Sequence, residues 1–406
     1  MDEATLRIER LVAGGDGLAR EEGGRVVFVS DAAPDDLVRV RFTARKRDFA
    51  KAELIEVLEP GPSRADPPCP AVARGCGGCG WQHVDPEAAL AHKVELVIET
   101  ARRIGHLDVD VVVGRSLPTD AFRTNLRVAA VGERLGFRRR QSHEVVDVGH
   151  CMVAHPLLDE VMASATLVGA DETTLRCSPS SGDRQAVVHG DAASTIRSAP
   201  ADLRVVTDAD LDDGERAVLV HEVAGSRFEV GARSFFQTSH AGAEVLVATV
   251  RAAVADAPQG RFIDLYGGVG LFAATCADGR EIVLVESSAS SAQDAAHNLE
   301  GRAAIVVEAQ VEHWVAPASA VVVADPPRAG LRPKGVERVV ASEADRVVLI
   351  SCDAAAFARD VSGLVEAGYE IVACELLDLF PYTHHVEIVT TLTRGQAARS
   401  SLSSGQ

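Results

Sequence analysis

The chain has 406 residues, room for two or three domains, and 47% of them are apolar, enough for sizeable cores. No apolar run reaches the length of a membrane span, and the acidic start Met1–Arg10 lacks the basic-then-apolar pattern of a secretion signal, so a cytosolic protein with reduced thiols is expected. A formal charge of −18 excludes binding of nucleic acid through bulk positive charge and leaves only a local patch as a route to such a partner.

Residues 1–60 predict short alternating strands at Thr5–Ile8, Arg25–Val29, Leu37–Phe42 and Ala52–Leu58, separated by glycine turns. That pattern suggests a small β-barrel of the kind that holds single-stranded nucleic acid. Its stretch Val38–Lys51 carries Arg39, Arg41, Arg45, Lys46, Arg47 and Lys51 against Asp48 alone, which reads either as a nucleic-acid contact or as a solvated strand edge. The segment Pro60–Gly80 is too rich in proline, glycine and cysteine for regular structure and needs an external staple. Residues 86–105 have helical periodicity and end on a glycine. Residues 121–235 read as mostly β. From Ala241 onward helices alternate with apolar strands at 260–265, 282–285, 303–307, 320–323 and 346–350, the rhythm of a doubly wound α/β sheet. The expected division is a barrel at 1–60, a central domain at 61–235 whose helix near 86–105 packs on the catalytic domain, a catalytic domain at 236–394 and a disordered tail at 395–406.

Four motifs carry chemistry. In Cys69-x6-Cys76-x2-Cys79, three close thiols with glycines between them form a soft-metal pattern. Spacing does not choose between zinc and iron–sulfur. A fourth thiolate is required, and Cys151 is the nearest downstream candidate. Next, Asp264-Leu265-Tyr266-Gly267-Gly268-Val269-Gly270 is strand, glycine loop and helix, and Glu286 ends the following strand 22 residues after Asp264. An acid there accepts hydrogen bonds from ribose hydroxyls. The loop lacks the dinucleotide spacing and a phosphate lysine, which favours S-adenosylmethionine over a nicotinamide or an ordinary strand–helix turn.

Asp325-Pro326-Pro327-Arg328 follows the strand at 320–323. The prolines fix a rigid elbow that holds the carboxylate toward a crevice. Finally, Cys352 follows the apolar run Arg346–Ser351, and Glu387 lies 35 residues further on, in Phe380-Pro381-Tyr382-Thr383-His384-His385-Val386-Glu387. A thiol nucleophile and a carboxylate base suit addition of a carbon to the unreactive C5 of a pyrimidine. Cys177, Cys276 and Cys374 read as small core residues, and Glu387 also suits a solvent-facing strand position.

Together these residues resemble the TRAM-containing, S-adenosylmethionine-dependent RNA (uracil-5-)-methyltransferases over nearly the whole chain. Asp-Pro-Pro-Arg, Ser-Cys-Asp and Phe-Pro-x-Thr-x-His-Val-Glu carry the likeness. Ser234-Phe235-Phe236-Gln237 and the stretches 122–125 and 136–147 add to it. The resemblance implies a TRAM/OB-like barrel, a mostly β central domain and a Rossmann-like methyltransferase domain. It implies Cys352 as nucleophile and Glu387 as base. It places Gln237, Tyr266, Gly268, Gly270, Glu286 and Asp325 around the cofactor, and Cys69, Cys76, Cys79 and Cys151 on a [4Fe–4S] cluster. The expected partner is RNA, 23S rRNA ahead of tRNA, with the protein a monomer. A non-catalytic RNA-binding or assembly factor and a methyltransferase acting on a small molecule or protein are the competing readings. Retention of Cys352 and Glu387 argues against the first, and the barrel against the second. The chain departs from the family at Gly267, usually cysteine, at Asp353, usually asparagine, at Ser239 and at Leu271. Asp353, beside Cys352, is expected to disfavour the thiolate.

Overall fold

The structure, a computed structural model, describes residues 2–395. Apart from Gly395, the expected tail lies outside the described residues. The chain divides into two compact units, one of residues 2–99, 137–146 and 380–385, the other of residues 100–136, 147–379 and 386–395. No helix among the described residues is long and apolar enough to cross a membrane.

In the first unit, β1 (Glu3–Leu11), β2 (Gly17–Arg20), β3 (Val26–Val29), β4 (Leu37–Arg45) and β5 (Phe49–Glu59) close a barrel in the order β1-β2-β3-β5-β4. Alternation builds it: Leu6, Ile8, Val38 and Val40 point inward and are buried, while Arg7, Arg39 and Arg41 face out. The strand β2 was not expected. Its Gly17 is required because a Cβ there would stand 2.9 Å from the Ile8 side chain. Helix α1 (Pro86–Thr100) continues as a π-turn over Ala101–Gly105 and ends on His106 in the left-handed region. That last turn, in the second unit, packs on the helix Ala354–Glu366, and a Cβ at Gly105 would stand 2.5 Å from the Ala358 carbonyl oxygen.

The second unit holds two sheets and a hairpin. One sheet runs in the order Thr195–Arg197, Thr166–Val168, Arg134–Arg138, Asn125–Val131, Glu172–Cys177, Arg184–His189, Leu203–Thr207. The hairpin Val218–Val223/Ser226–Gly231 stands beside it in sequence. The other sheet comprises β6 (Val112–Val113), β7 (Phe262–Leu265), β8 (Ile282–Glu286), β9 (Ala304–Glu308), β10 (Val321–Ala324), β11 (Arg346–Ser351), β12 (Tyr369–Leu377) and β13 (Glu387–Arg394). Its order is β9-β8-β7-β10-β11-β13-β12-β6. The strands from β9 to β11 are parallel, and β7, β10 and β11 are fully buried, as their unbroken apolar runs predict. Helix α2 (His240–Val254) leads into β7, and helices α3 (Leu271–Cys276), α4 (Ala289–Asn298), α5 (Arg332–Ala341) and α6 (Ala354–Glu366) connect strands of the sheet. The antiparallel strand β12 was not read as a strand in the sequence, whereas β13 was read as one only around Glu387.

Candidate active site

In a parallel sheet every strand delivers its last residue to the same edge. β7 turns there through Tyr266-Gly267-Gly268, β8 ends in Glu286, β10 runs into Asp325, and β11 is followed by Cys352. β13 runs the other way, so its first residue, Glu387, comes to that edge as well. Ser351 pairs with Ile388 as the last pair of the ladder, so Cys352 and Glu387 are the next residues on the two strands, close enough for the Glu387 charge to act on the thiol. Two residues 35 positions apart are thus neighbours, with Asp325 acting on the charge of both.

The electrostatics are those of acids crowded out of water. Burial pushes the half-buried Cys352 thiol up to about 11, with Glu387 and then Asp325 adding to it. Glu387 is 5% exposed, and burial, reinforced by Asp325, holds its carboxyl well above the usual range. Solvent-facing placement of Glu387 is therefore ruled out. Burial raises Asp325 to about 7, opposed by the Gln237 amide, which donates to Oδ2 at 3.4 Å. Asp264, which sequence reasoning left unassigned, is fully buried and raised to about 8. Its Oδ2 accepts from the Ala273 N–H at 2.9 Å, and its Oδ1 has no partner. A thiol beside carboxyl groups whose proton affinity burial has raised can pair nucleophilic attack with proton transfer.

Asp353 does not play its expected part. Its Oδ1 caps α6, accepting from Ala355 at 3.0 Å and Ala356 at 2.9 Å, and its Oδ2 lies 3.7 Å from Arg328 Nε. The acids that raise Cys352 are Glu387 and Asp325 instead.

On the glycine-loop side, Glu286 is fixed by two backbone donors, Gly268 at 2.9 Å and Ser288 at 2.7 Å, which leaves lone pairs for further hydroxyls. Tyr266 takes a positive φ of 58° and donates its hydroxyl to Glu312 at 3.2 Å, a partner no motif had indicated. The backbone at Gly268 is open, with nothing within 4 Å of where a Cβ would stand. Gly270, at φ 90°, caps α3. The departures have local reasons. A Cβ at Gly267 would lie 2.5 Å from Leu284 Cγ, so Leu284 occupies the space a cysteine would need. Ser239 caps α2, accepting from the Gly242 N–H at 3.1 Å, and Leu271 is buried in the core. Asp360, also unread in the sequence, anchors the elbow after Asp325 by accepting from Leu331 at 2.7 Å and Arg332 at 3.1 Å.

The cysteine loop lies in the first unit up to Cys79. Gly77 donates to the Arg138 carbonyl at 3.1 Å, and a Cβ on Gly77 would stand 2.5 Å from the Arg140 nitrogen, so glycine lets the loop lie against that strand. Cys69, Cys76, Cys79 and Cys151 are half-buried, whereas Cys177, Cys276 and Cys374 are buried. Burial, and then the neighbouring Cys69, raise the Cys76 thiol. Among the described residues no three Cys, His, Asp or Glu side chains are arranged to hold a metal ion, so the expected four-thiolate centre is not found assembled.

The basic stretch of the barrel is largely neutralised. Arg39 pairs with Glu56, Arg41 with Glu53 at 3.0 Å and Glu3 at 3.2 Å, and Arg45 with Asp2 at 2.5 Å and Glu21 at 2.7 Å. Lys46 and Arg47 at the β4–β5 turn, with Lys51, are exposed and have no such pair among the described residues.

Two family models match the chain: TRAM domain over residues 2–55 and tRNA (Uracil-5-)-methyltransferase over residues 315–395. An uncharacterized RNA methyltransferase of Streptomyces avermitilis is 31% identical, the match spanning 96% of this chain and 98% of that one. The 23S rRNA (uracil(1939)-C(5))-methyltransferase RlmD of Chromohalobacter salexigens is 32% identical, over 97% of this chain and 90% of that one. The fold is that of the Pyrococcus abyssi tRNA (uracil-54, C5)-methyltransferase solved with S-adenosyl-L-homocysteine, at a TM-score of 0.74 and 22% identity, over 96% of this chain and 100% of that one.

Proposed function

The chain belongs to the RNA (uracil-5-)-methyltransferase family and carries an amino-terminal TRAM domain, and from that footing we propose that it methylates C5 of a uridine in 23S rRNA. The observation that carries the chemistry is Cys352 beside Glu387 at the end of a parallel sheet. C5 of uracil is a weak nucleophile. Cys352 gives up its thiol proton to solvent, and attack of the resulting thiolate at C6 makes the ring an enolate whose C5 is electron-rich. S-adenosylmethionine supplies the methyl group as an electrophilic sulfonium. Glu387 then takes the C5 proton, the ring π-system re-forms and the sulfur leaves C6. Burial fits Glu387 to this role, because a desolvated carboxylate has raised proton affinity.

Glu286 accepts from the ribose hydroxyls, with Tyr266, Gly268 and Gly270 shaping the loop beside it. Asp325 and Gln237, already bonded to each other, hold the amino-acid end of the cofactor against the crevice. Residues 1–60 act as the RNA-binding module and 236–394 as the catalytic domain. The target base is reached by flipping it from its stack.

For Cys69, Cys76, Cys79 and Cys151 the reading is a [4Fe–4S] cluster with a structural role. Their spacing and their exposure, unlike that of the three core cysteines, support it. Iron and sulfide content of anaerobically prepared protein, with and without Cys76→Ser, tests the point. The resemblance to 23S rRNA enzymes makes rRNA the favoured substrate, and tRNA is the alternative. Quantifying 5-methyluridine in rRNA and tRNA fractions of cells with and without the protein decides between them. Unchanged 5-methyluridine in every fraction would overturn the assignment.

A further inference from the structure

A cavity of about 400 Å³ lies between the end of the hairpin Ser226–Gly231, the loop after the helix Asp208–Asp212, and α4. Its volume is in the range of small-ligand sites. Arg216 and Arg233 flank it, with Ser290 and Gln293 of α4 on its wall and Asp294 at its base. The base is rigid: Asp294 is buried, and its Oδ2 accepts from the Gly231 N–H at 2.7 Å and from the Ser234 hydroxyl at 2.6 Å. Ser234 in turn is 2.7 Å from the Ser290 hydroxyl.

Arg216 is held loosely. Its side chain is 52% exposed, and its carboxylate neighbours, Glu229 at 3.8 Å and Asp294 at 3.7 Å, are too far for hydrogen bonds. Arg184, whose Nε, Nη1 and Nη2 all donate, to Asp202, Glu160 and the Leu157 carbonyl, shows what a committed arginine looks like in this protein. Arg233 uses Nη2 on Asp208 and Asp212 and is also half-exposed. A guanidinium with unspent donors beside a second one is suited to an anion with several oxygens, such as a phosphate. A carboxamide and a hydroxyl on the facing wall are suited to the edge of a nucleobase.

The segments that line the cavity run on in the chain to residues of the candidate active site. α4 starts three residues after Glu286, and Arg233 precedes Gln237 by four residues, within about 14 Å of chain.

We propose that this cavity holds a nucleotide of the substrate RNA beside the target uridine, its phosphate on Arg216 and Arg233 and its base edge on Ser290 and Gln293. The proposal rests on the RNA methyltransferase reading. The test is filter binding of the full-length protein to total RNA from cells lacking it, across a salt series, with methyl incorporation from labelled S-adenosylmethionine measured alongside.

Arg216→Ala/Arg233→Ala should raise Kd about tenfold and flatten the log–log salt dependence by about 0.7 for each phosphate left without its cation. Gln293→Ala should raise Kd with the salt slope intact, since it removes a hydrogen bond to a base and no charge. Cofactor affinity of each variant serves as the check on folding. Wild-type Kd and slope in the arginine variant, or a loss of RNA binding that tracks a loss of cofactor binding, would overturn the proposal. If the wild type binds RNA but incorporates no methyl group, the functional reading fails while the cavity is still judged by binding. If it binds no RNA, both fail.

Discussion

Replacing Glu387 by glutamine removes a negative charge next to the Cys352 sulfur while keeping the shape of the side chain. Directly opposed residues on antiparallel strands have Cβ atoms about 5 Å apart. Two charges about 6 Å apart at an effective dielectric of about 20 interact by about 2.8 kcal/mol, or about two pH units on the thiol. That figure is too large here. The thiol rises only from 9.0 to about 11 in all, and burial is the largest part of the rise. The share of Glu387 is therefore smaller than that of burial, on the order of one pH unit or roughly tenfold in thiolate fraction. Alkylation of Cys352 by iodoacetamide, followed peptide by peptide by mass spectrometry from pH 7 upward, reads the midpoint directly. E387Q should move it down by up to about one unit and leave it above 9. On RNA the same variant should form the Cys352 adduct readily and release it slowly, so adduct accumulates on ordinary uridine. A midpoint that stays put or rises, or free product at the wild-type rate, would refute the placement of Glu387 as charge neighbour and base.

Asp264 keeps its proton in the folded chain up to about pH 8, whereas the unfolded chain loses it near 4, so the stability tied to this group is full below pH 4 and lost as pH rises to about 8. Asp264→Asn should therefore show a smaller fall in denaturant midpoint between pH 5 and 8 than the wild type; parallel curves would sink the idea. Gly267→Cys should cost about 1–3 kcal/mol by overpacking against Leu284, with Leu284→Ala restoring part of it in urea titrations; an undiminished midpoint in the single variant would contradict the packing. Lys46→Glu/Arg47→Glu should weaken RNA binding about tenfold, whereas Arg39→Ala, whose cation already serves Glu56, should change it less than twofold; equal effects in a gel-shift titration would show that the ion pairs do not set which cations are free to meet RNA.

The parallel strands were legible because burial on both faces demands unbroken apolar runs, and Arg346–Ser351 is such a run. The residues of the crevice were legible because their positions follow strand ends. What stayed hidden depends on packing between distant segments. β12 was not read as a strand because it mixes exposed and buried residues, with Val372 58% exposed at a bulge. Asp264 looked like one more polar residue at a strand's end, and only the packing of α3 over it makes it a buried acid. The ion pairs of the barrel stayed hidden for a related reason: the acids that pair with Arg39, Arg41 and Arg45 sit on other segments, out of sight in a local window. Asp353 was judged by its distance in sequence from the thiol, yet the helix it caps claims its lone pairs.

On the proposed placement of the cofactor beside Asp325, whose carboxyl burial raises to about 7, ligand exchange would acquire a hydrogen-ion stoichiometry. A positively charged sulfur beside that acid favours its ionised form, so loading the fresh cofactor would shed hydrogen ions into the medium. The spent, uncharged thioether makes no such demand. Replacement of one by the other thus becomes easier in alkaline surroundings and harder in acid ones, and titration calorimetry in buffers of unequal ionisation heat counts the ions released.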